Sequence, residues 1–246
     1  MKIFSPSYKR ALNNVAITHK YISDVTYVVT EDEKDDYLNI HDKVISIPNG
    51  NEGKIEKCNW VLDKFQGEQI VLLDDDIKKI GLFNGNKSTL LSEQEVYELI
   101  DKGFLLCKDF GFKMWGVNCA TDKGSYREYT PFATTSFIGG PFHAHIECGL
   151  RYDIEMNSKD DYDMNIQQMD KHRGALRLNM YHTFCDMAKS KGGYAETRTV
   201  SRELQLNDKL QQKWGDKIIR FDTSNKSGKQ KTFDINPIIK IPIKGV

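Results

Sequence analysis

The chain has 246 residues, 39% of them hydrophobic and 28% charged, which suits a folded protein with a large core and excludes a disordered one. Its 35 basic and 35 acidic side chains cancel, so no global charge draws it to nucleic acid and a polyanion must find a local basic patch. No apolar run approaches the roughly 18 residues of a membrane span, no apolar signal segment follows Met1, and the five scattered cysteines form no C-x-x-C pair, so reduced thiols in a cytoplasmic protein are expected rather than a structural zinc site.

In chain order, Lys2 to Phe4 begins a strand that breaks at Ser5-Pro6-Ser7. Leu12, Val15, Ala16, Thr18 and His19 then fit a helix, with Arg10 near its start as either a base or phosphate contact or a surface arginine. Val25 to Thr30 reads as a second strand of high β-propensity, followed by the acidic helix start Glu31 to Asp36. Val44 to Ile47 reads as a third strand, and Lys54 to Phe65 as a helix carrying Ile55, Cys58, Leu62 and Phe65 at helical spacing. Next comes Gln69-Ile70-Val71-Leu72-Leu73-Asp74-Asp75-Asp76-Ile77, four apolar residues running into three carboxylates. Such a run suits a strand buried on both faces, and its C-terminal end is where open α/β sheets place ligands. Asp74 and Asp76 offer hard oxygens of the kind that hold Mg²⁺ or Mn²⁺ against a phosphate. A solvated acidic turn accounts for this stretch alone equally well. The alternation β-α-β-α-β-α-β up to residue 76 predicts an α/β fold with a parallel sheet and crossover connections.

Beyond Asp76, Gly81 to Ser88 reads as a polar loop, and Glu93 to Phe110 as a helix in which Ser92 and Glu95 make a capping box. Lys113 to Asn118 is expected to be a strand, and Phe132 to Phe142 is β-rich and ends in Gly139-Gly140-Pro141. His143 and His145 would share one strand face, where structural roles outweigh a metal site. Lys159-Asp160-Asp161-Tyr162-Asp163 places a second acidic cluster at a helix start, as a reactive pair or as a simple N-cap. Ser190 to Tyr194 reads as a glycine loop and Ser201 to Trp214 as a helix. From Lys213 onward, eight basic residues face three acidic ones, a bias that would follow a phosphate backbone or serve solubility alone.

Four pieces in order, Ser5-Pro6-Ser7-Tyr8-Lys9-Arg10, Glu56 to Trp60, Leu72 to Asp76, and Leu150-Arg151-Tyr152-Asp153 with Lys159 to Asp163, resemble the GT-A glycosyltransferases. More narrowly, they resemble the bacteriophage DNA glycosyltransferases that accompany TET/J-binding-protein-type dioxygenases. The resemblance implies a GT-A-like, mainly parallel sheet flanked by helices over residues 1–200, with residues 201–246 as a basic C-terminal extension. It implies a nucleoside-diphosphate sugar donor, such as a UDP-sugar, held by Ser5, Pro6, Ser7, Arg10, Asn59, Asp74 and Asp75. It also implies Mn²⁺ or Mg²⁺ on Asp74 and Asp76, a general base from Asp160-Asp161, and inversion at the anomeric carbon. The expected acceptor is a hydroxymethylpyrimidine base in DNA, modified in the host cytoplasm if the chain is phage-encoded. An Asp stands at position 160 where the family more often has Glu, which shortens its reach. A family-2-like transferase acting on a glycan or small molecule, or an inactive nucleotide- or DNA-binding module, are the alternatives.

Overall fold

A computed structural model describes residues 1–85, 87–121, 126–185, 199–221 and 236–240. The strands are β1 (Lys2–Pro6), β2 (Thr26–Thr30), β3 (Val44–Ile47), β4 (Ile70–Leu73), β5 (Ile77–Asn84), β6 (Lys87–Leu90), β7 (Met114–Asn118), β8 (Phe132–Ala133), β9 (Phe142–His145), β10 (Leu176–Cys185), β11 (Ile219–Phe221) and β12 (Pro237–Ile239). The helices are α1 (Lys34–Leu38), α2 (Lys54–Lys64), α3 (Glu93–Asp109), α4 (Asp160–His172) and α5 (Val200–Trp214). Ten strands form one sheet in the order β3-β2-β1-β4-β9-β7-β10-β5-β6, with β8 on β10, while β11 and β12 pair separately.

The sheet is mixed. β1 runs parallel to β2 and β4, β2 is parallel to β3, and β7 is parallel to β10. β9 lies antiparallel between β4 and β7. The expected α/β architecture holds, and its parallel half is the part read from the β-α-β alternation. All four residues of β4 are buried, because the strand lies inside the sheet and both its faces are covered. Val71 and Leu73 join a core under α3 (Val96, Leu99, Ile100, Phe104), and Ile70 and Leu72 join a core under α2 and α4 (Ile55, Val61, Met164, Met169). The result is three layers with the sheet in the middle.

Three local expectations are corrected, the first being that only the ends of the β-rich stretch Phe132 to Phe142 are strand, Phe132–Ala133 in β8 and Phe142 at the start of β9. No α-helix forms over Leu12–His19. Residues 11–14 make a turn with Asn14 at φ 53°, and a single 3₁₀ turn covers Thr18–Lys20. The N–H groups of Ile17 and Thr18 donate instead to the Asp75 carbonyl, at 2.8 and 3.1 Å. The stretch read as a polar loop from Gly81 is the β5–β6 hairpin, because β10 pairs with β5 along Tyr181–Cys185. Gly81 permits that pairing, since a Cβ there would lie 2.5 Å from the His182 ring. The Ser92–Glu95 capping box forms as read. The glycine loop at 190–194 and Lys226, Lys229, Lys231 and Lys244 lie outside the described residues.

α5 packs against α4, with Leu210 and Ile219 buried against Met156 and Ile166. A fully buried ion pair, Lys159 Nζ to Glu203 Oε2 at 2.8 Å, joins α5 to the residue preceding α4. Lys213 reaches Asp153 and Asp163 at 2.7 and 2.9 Å, so the first lysine of the basic segment turns toward the protein.

His143 and His145 both contact the buried Tyr152 hydroxyl at 2.9 Å, and His143 Nε2 also reaches the Ile138 carbonyl at 3.2 Å. Burial pushes both imidazoles down to about 3, so they are held neutral. The H-x-H pair is thus a hydrogen-bonded core element, and among the described residues no group of three His, Cys, Asp or Glu side chains is placed to hold a metal ion. A histidine whose folded-state pKa lies below its unfolded value adds stability that is fully present above pH ~6.5 and is lost as pH falls toward the folded value. Between pH 7 and pH 5 the two histidines should therefore contribute a decline in the stability measured by urea unfolding, opposed by the raised carboxyls of Asp75, Asp160 and Asp161. His145→Gln should flatten that decline while lowering stability at pH 7, and an unchanged slope would show that the pair does not set it.

Candidate active site

The C-terminal end of β4 delivers Asp74, Asp75 and Asp76 into a turn whose backbone is fixed from two sides. Thr18 Oγ1 donates to the Asp74 carbonyl (2.7 Å) and accepts from Ile77 N–H (2.9 Å). The Asp74 N–H donates to the Pro141 carbonyl at 3.0 Å. Three adjacent carboxylates repel one another, and the fold answers with cations from separate elements. Arg10 Nη1 is ion-paired to Asp75 and lies 3.5 Å from Asp76. Lys54, the first residue of α2, places Nζ 2.6 Å from Asp74 Oδ1.

Asp75 is buried, and Ser7 Oγ donates to it. Ser7 Oγ is also 2.5 Å from the Tyr37 hydroxyl, to which the Arg10 N–H donates at 3.3 Å. Burial lifts the Asp75 carboxyl to about 6 against the pull of Arg10 and the Ser7 hydrogen bond. Lys57, on the next turn of α2 from Lys54, is fully buried and donates to the Ser7 carbonyl at 2.5 Å. Burial brings its ammonium down to about 8 despite Glu33 and Asp75 nearby. Ser7, Arg10, Asp75 and Asp76 thus meet in one place. Ser5 lies fully buried in β1, and Pro6, the last residue of β1, is registered with Val28 on β2.

The second acidic cluster opens α4, where Asp160 and Asp161 are the first two helical residues and Lys159 is the N-cap. Neither is the N-cap residue. Asp161 Oδ1 accepts from the Tyr162 N–H (2.8 Å), and Oδ2 accepts from the Gly140 N–H (3.1 Å). Burial raises both carboxyls above the ordinary range. The charge of Asp160 raises Asp161 further, and Lys54 opposes the rise in both. The Gly140 carbonyl, on the other side of the same residue, accepts from Lys54 Nζ at 3.3 Å. Gly139-Gly140-Pro141 therefore links the two acidic clusters: Asp161 to Gly140, Gly140 to Lys54, Lys54 to Asp74. Asn165 holds this segment through Ile138, accepting from its N–H (3.0 Å) and donating to its carbonyl (2.9 Å).

Asn59 stands apart from this set. Its amide accepts from the Tyr152 N–H and donates to the Tyr152 carbonyl, both at 2.8 Å, so both ends are taken up in fixing the segment that leads to α4. Arg151 likewise bonds Asp63 of α2 at 2.7 Å. The sequence assigned no site role to Lys54, Lys57 or Tyr37, and marked Gly139-Gly140-Pro141 only as a turn of close backbone approach. For Lys54 a signal was present, because a cation at a helix N-terminus opposes the helix dipole.

No protein-family model and no curated protein matches the chain. Solved structures similar to it include S. aureus TarS 1-349 (10% identity, 86% of this chain and 66% of that chain, TM-score 0.48). The same protein in complex with UDP-GlcNAc matches at 12% identity over 86% of this chain and 67% of that chain, TM-score 0.48. CMP:2-keto-3-deoxy-manno-octonic acid synthetase complexed with CTP matches at 11% identity over 84% and 98% of the two chains, TM-score 0.46. The chain spans just under two thirds of the first of these, and likenesses of this size assign no chemistry.

Asn59→Ala should destabilise the protein by about 2 kcal/mol, because it leaves the Tyr152 peptide groups without partners. UDP affinity of the folded variant should be unchanged. Urea unfolding and titration calorimetry check this, and a loss of affinity at unchanged stability would return Asn59 to the nucleotide site.

Proposed function

We propose that the protein is a metal-dependent glycosyltransferase that moves a sugar from a nucleoside-diphosphate sugar to a hydroxyl acceptor with inversion. The observation that carries this reading is the pairing of two carboxylate clusters, residues 74–76 and 160–161, across the Gly140 peptide. One cluster suits the charged leaving group, and the other suits the acceptor proton.

The Asp161 carboxylate is held by two N–H groups at a helix N-terminus, in a buried site that raises its proton affinity. Such a group takes a proton from a hydroxyl better than an ordinary solvated carboxylate. The acceptor oxygen forms its bond to the anomeric carbon as its proton passes to Asp161. The bond from that carbon to the diphosphate oxygen breaks, and its electron pair leaves with the nucleoside diphosphate. Asp160 beside it raises the base's proton affinity, and Lys54 limits that rise.

Asp74 and Asp76 supply the hard oxygen set for Mn²⁺ or Mg²⁺. Two carboxylates suffice where substrate phosphate and water complete the coordination, as is usual for Mg²⁺. When bound, such an ion supplies positive charge to the diphosphate. Ser7, Arg10 and Asp75 would form the adjoining nucleotide side, and the resemblance adds Ser5 and Pro6 to it. The acceptor class, a hydroxymethylpyrimidine in DNA, rests on the resemblance. The described part of the basic segment adds little to it, since Lys213 is paired with Asp153 and Asp163.

The direct test incubates the protein with several nucleotide sugars and Mn²⁺, with hydroxymethylpyrimidine DNA, unmodified DNA or a glycan, and measures free nucleoside diphosphate. Absence of release with every donor tested would overturn the reading. Asp161→Asn should lower turnover by about 10²–10⁴-fold, the usual worth of a general base, while leaving UDP affinity in place. Asp160→Asn should be milder, and equal losses would reject Asp161 as the particular base. The rate should fall with acidity through an apparent pKa above the ordinary carboxylate range, because protonated Asp161 cannot accept the proton. Asp76→Ala should abolish the Mn²⁺-dependent part of UDP binding in calorimetry without loss of fold, and unchanged affinity would remove Asp76 from the metal site.

A further inference from the structure

Three cations serve the acidic turn after β4, and they differ in how firmly they are held. The Lys57 side chain is fully buried on the Ser7 carbonyl. The Arg10 side chain is 15% exposed and pairs with Asp75, itself 5% exposed. Lys54 is 39% exposed, and its partner Asp74 is 28% exposed. Of the two ion pairs on this turn, Lys54–Asp74 is the more open to water, and solvent screens it more than Arg10–Asp75. Lys54 also occupies the first position of α2, where the helix dipole disfavours a cation, and the N-cap Gly53 offers no side chain to offset it. A flexible ammonium stem can move between anions with little strain. The fold has therefore set its most exposed cation on the carboxylate that the proposed reaction needs for a divalent ion.

We infer that Lys54 is an exchangeable counter-ion, pairing with Asp74 when no donor is bound and passing to the donor's diphosphate when it arrives. This rests on the function proposed above and extends it to the order of events at the site. The transfer has two consequences. The diphosphate gains a charge-assisted hydrogen bond near the leaving oxygen. Asp74 loses its ammonium partner and becomes available to Mn²⁺ or Mg²⁺, so the nucleotide and the ion bind cooperatively. Linkage makes that coupling reciprocal: each raises the affinity of the other by the same factor. The Gly140 carbonyl, 3.3 Å from Nζ, keeps the ammonium within the site in either state. Arg10 cannot take this part, because removing it would leave Asp75 buried without its cation.

Lys54→Met tests the inference, because it keeps the stem and removes the charge. Two affinities should move in opposite directions. UDP measured in the presence of a chelator should bind roughly tenfold or more weakly, the loss expected for one charge-assisted contact. Mn²⁺ measured without nucleotide should bind more tightly, since Asp74 no longer has a competing ammonium. Uridine, which has no phosphates, should bind as it does to the unaltered protein. Lys54→Arg should restore most of the UDP affinity, and circular dichroism confirms that each variant is folded. Loss of uridine and UDP affinity together would make Lys54 a structural residue and overturn the inference. So would Mn²⁺ affinity that falls or does not change. If the unaltered protein binds UDP normally and only these Lys54 effects are missing, the counter-ion role fails and the proposed transferase stands. If the unaltered protein binds none of the nucleoside diphosphates, both fail.

Discussion

Repulsion among five carboxylates, Asp74 to Asp76 and Asp160 to Asp161, is the constraint around which this part of the molecule is built. Each cluster alone would sit more favourably in water. Both are drawn into a partly buried region, where desolvation raises the proton affinity of Asp75, Asp160 and Asp161. The compensating charges come from the loop after β1 (Arg10) and from the start of α2 (Lys54), and neither is adjacent in sequence to the carboxylate it serves. Only a folded sheet brings these pieces together. Where acid groups are crowded, buried and matched with cations from other elements, their proton affinities depend on that pairing.

The residues around the two clusters divide by what their polar atoms do. Tyr152 is fixed at its backbone by Asn59 and at its hydroxyl by His143 and His145, which ties α2, β9 and the approach to α4 into one unit. That unit sits beneath α4 and fixes where Asp160 and Asp161 emerge. The Arg-Tyr-Asp segment, part of the resemblance to GT-A enzymes, contributes here through structure: Arg151 to Asp63, Tyr152 to the histidines, Asp153 to Lys213.

α5 reaches the same helix from the other side. The Lys159–Glu203 pair is fully buried immediately before Asp160, and Trp214 Nε1 donates to Asp163 Oδ1 at 2.7 Å. A buried pair of this kind gives little net stability over apolar packing, but losing one partner leaves a charge in the interior. It therefore fixes the geometry of the α4 start strongly. The helix bearing the candidate base is clamped between the Tyr152 unit and α5.

Much of the framework was legible in the sequence. The Ile70–Leu73 run, the β-α-β alternation and the Ser92 capping box are local signals, carried by burial period and by groups a few residues apart, and the structure follows them. The hairpin from Ile77 and the missing helix after Leu12 were not legible. Each is decided by a distant partner, β10 in one case and the Asp75 carbonyl in the other. The same division holds in the site. The acidic clusters stand out as residue runs, and Arg10 as a basic residue in a polar turn. What joins them is the Gly140 peptide with Asp161 on its N–H and Lys54 on its carbonyl, contacts spanning 21 and 86 residues of chain. Residue type announces which groups can carry charge. Which of them meet, and which are taken up by neighbours as Asn59 is, depends on desolvation and pairing that exist only once the sheet has closed.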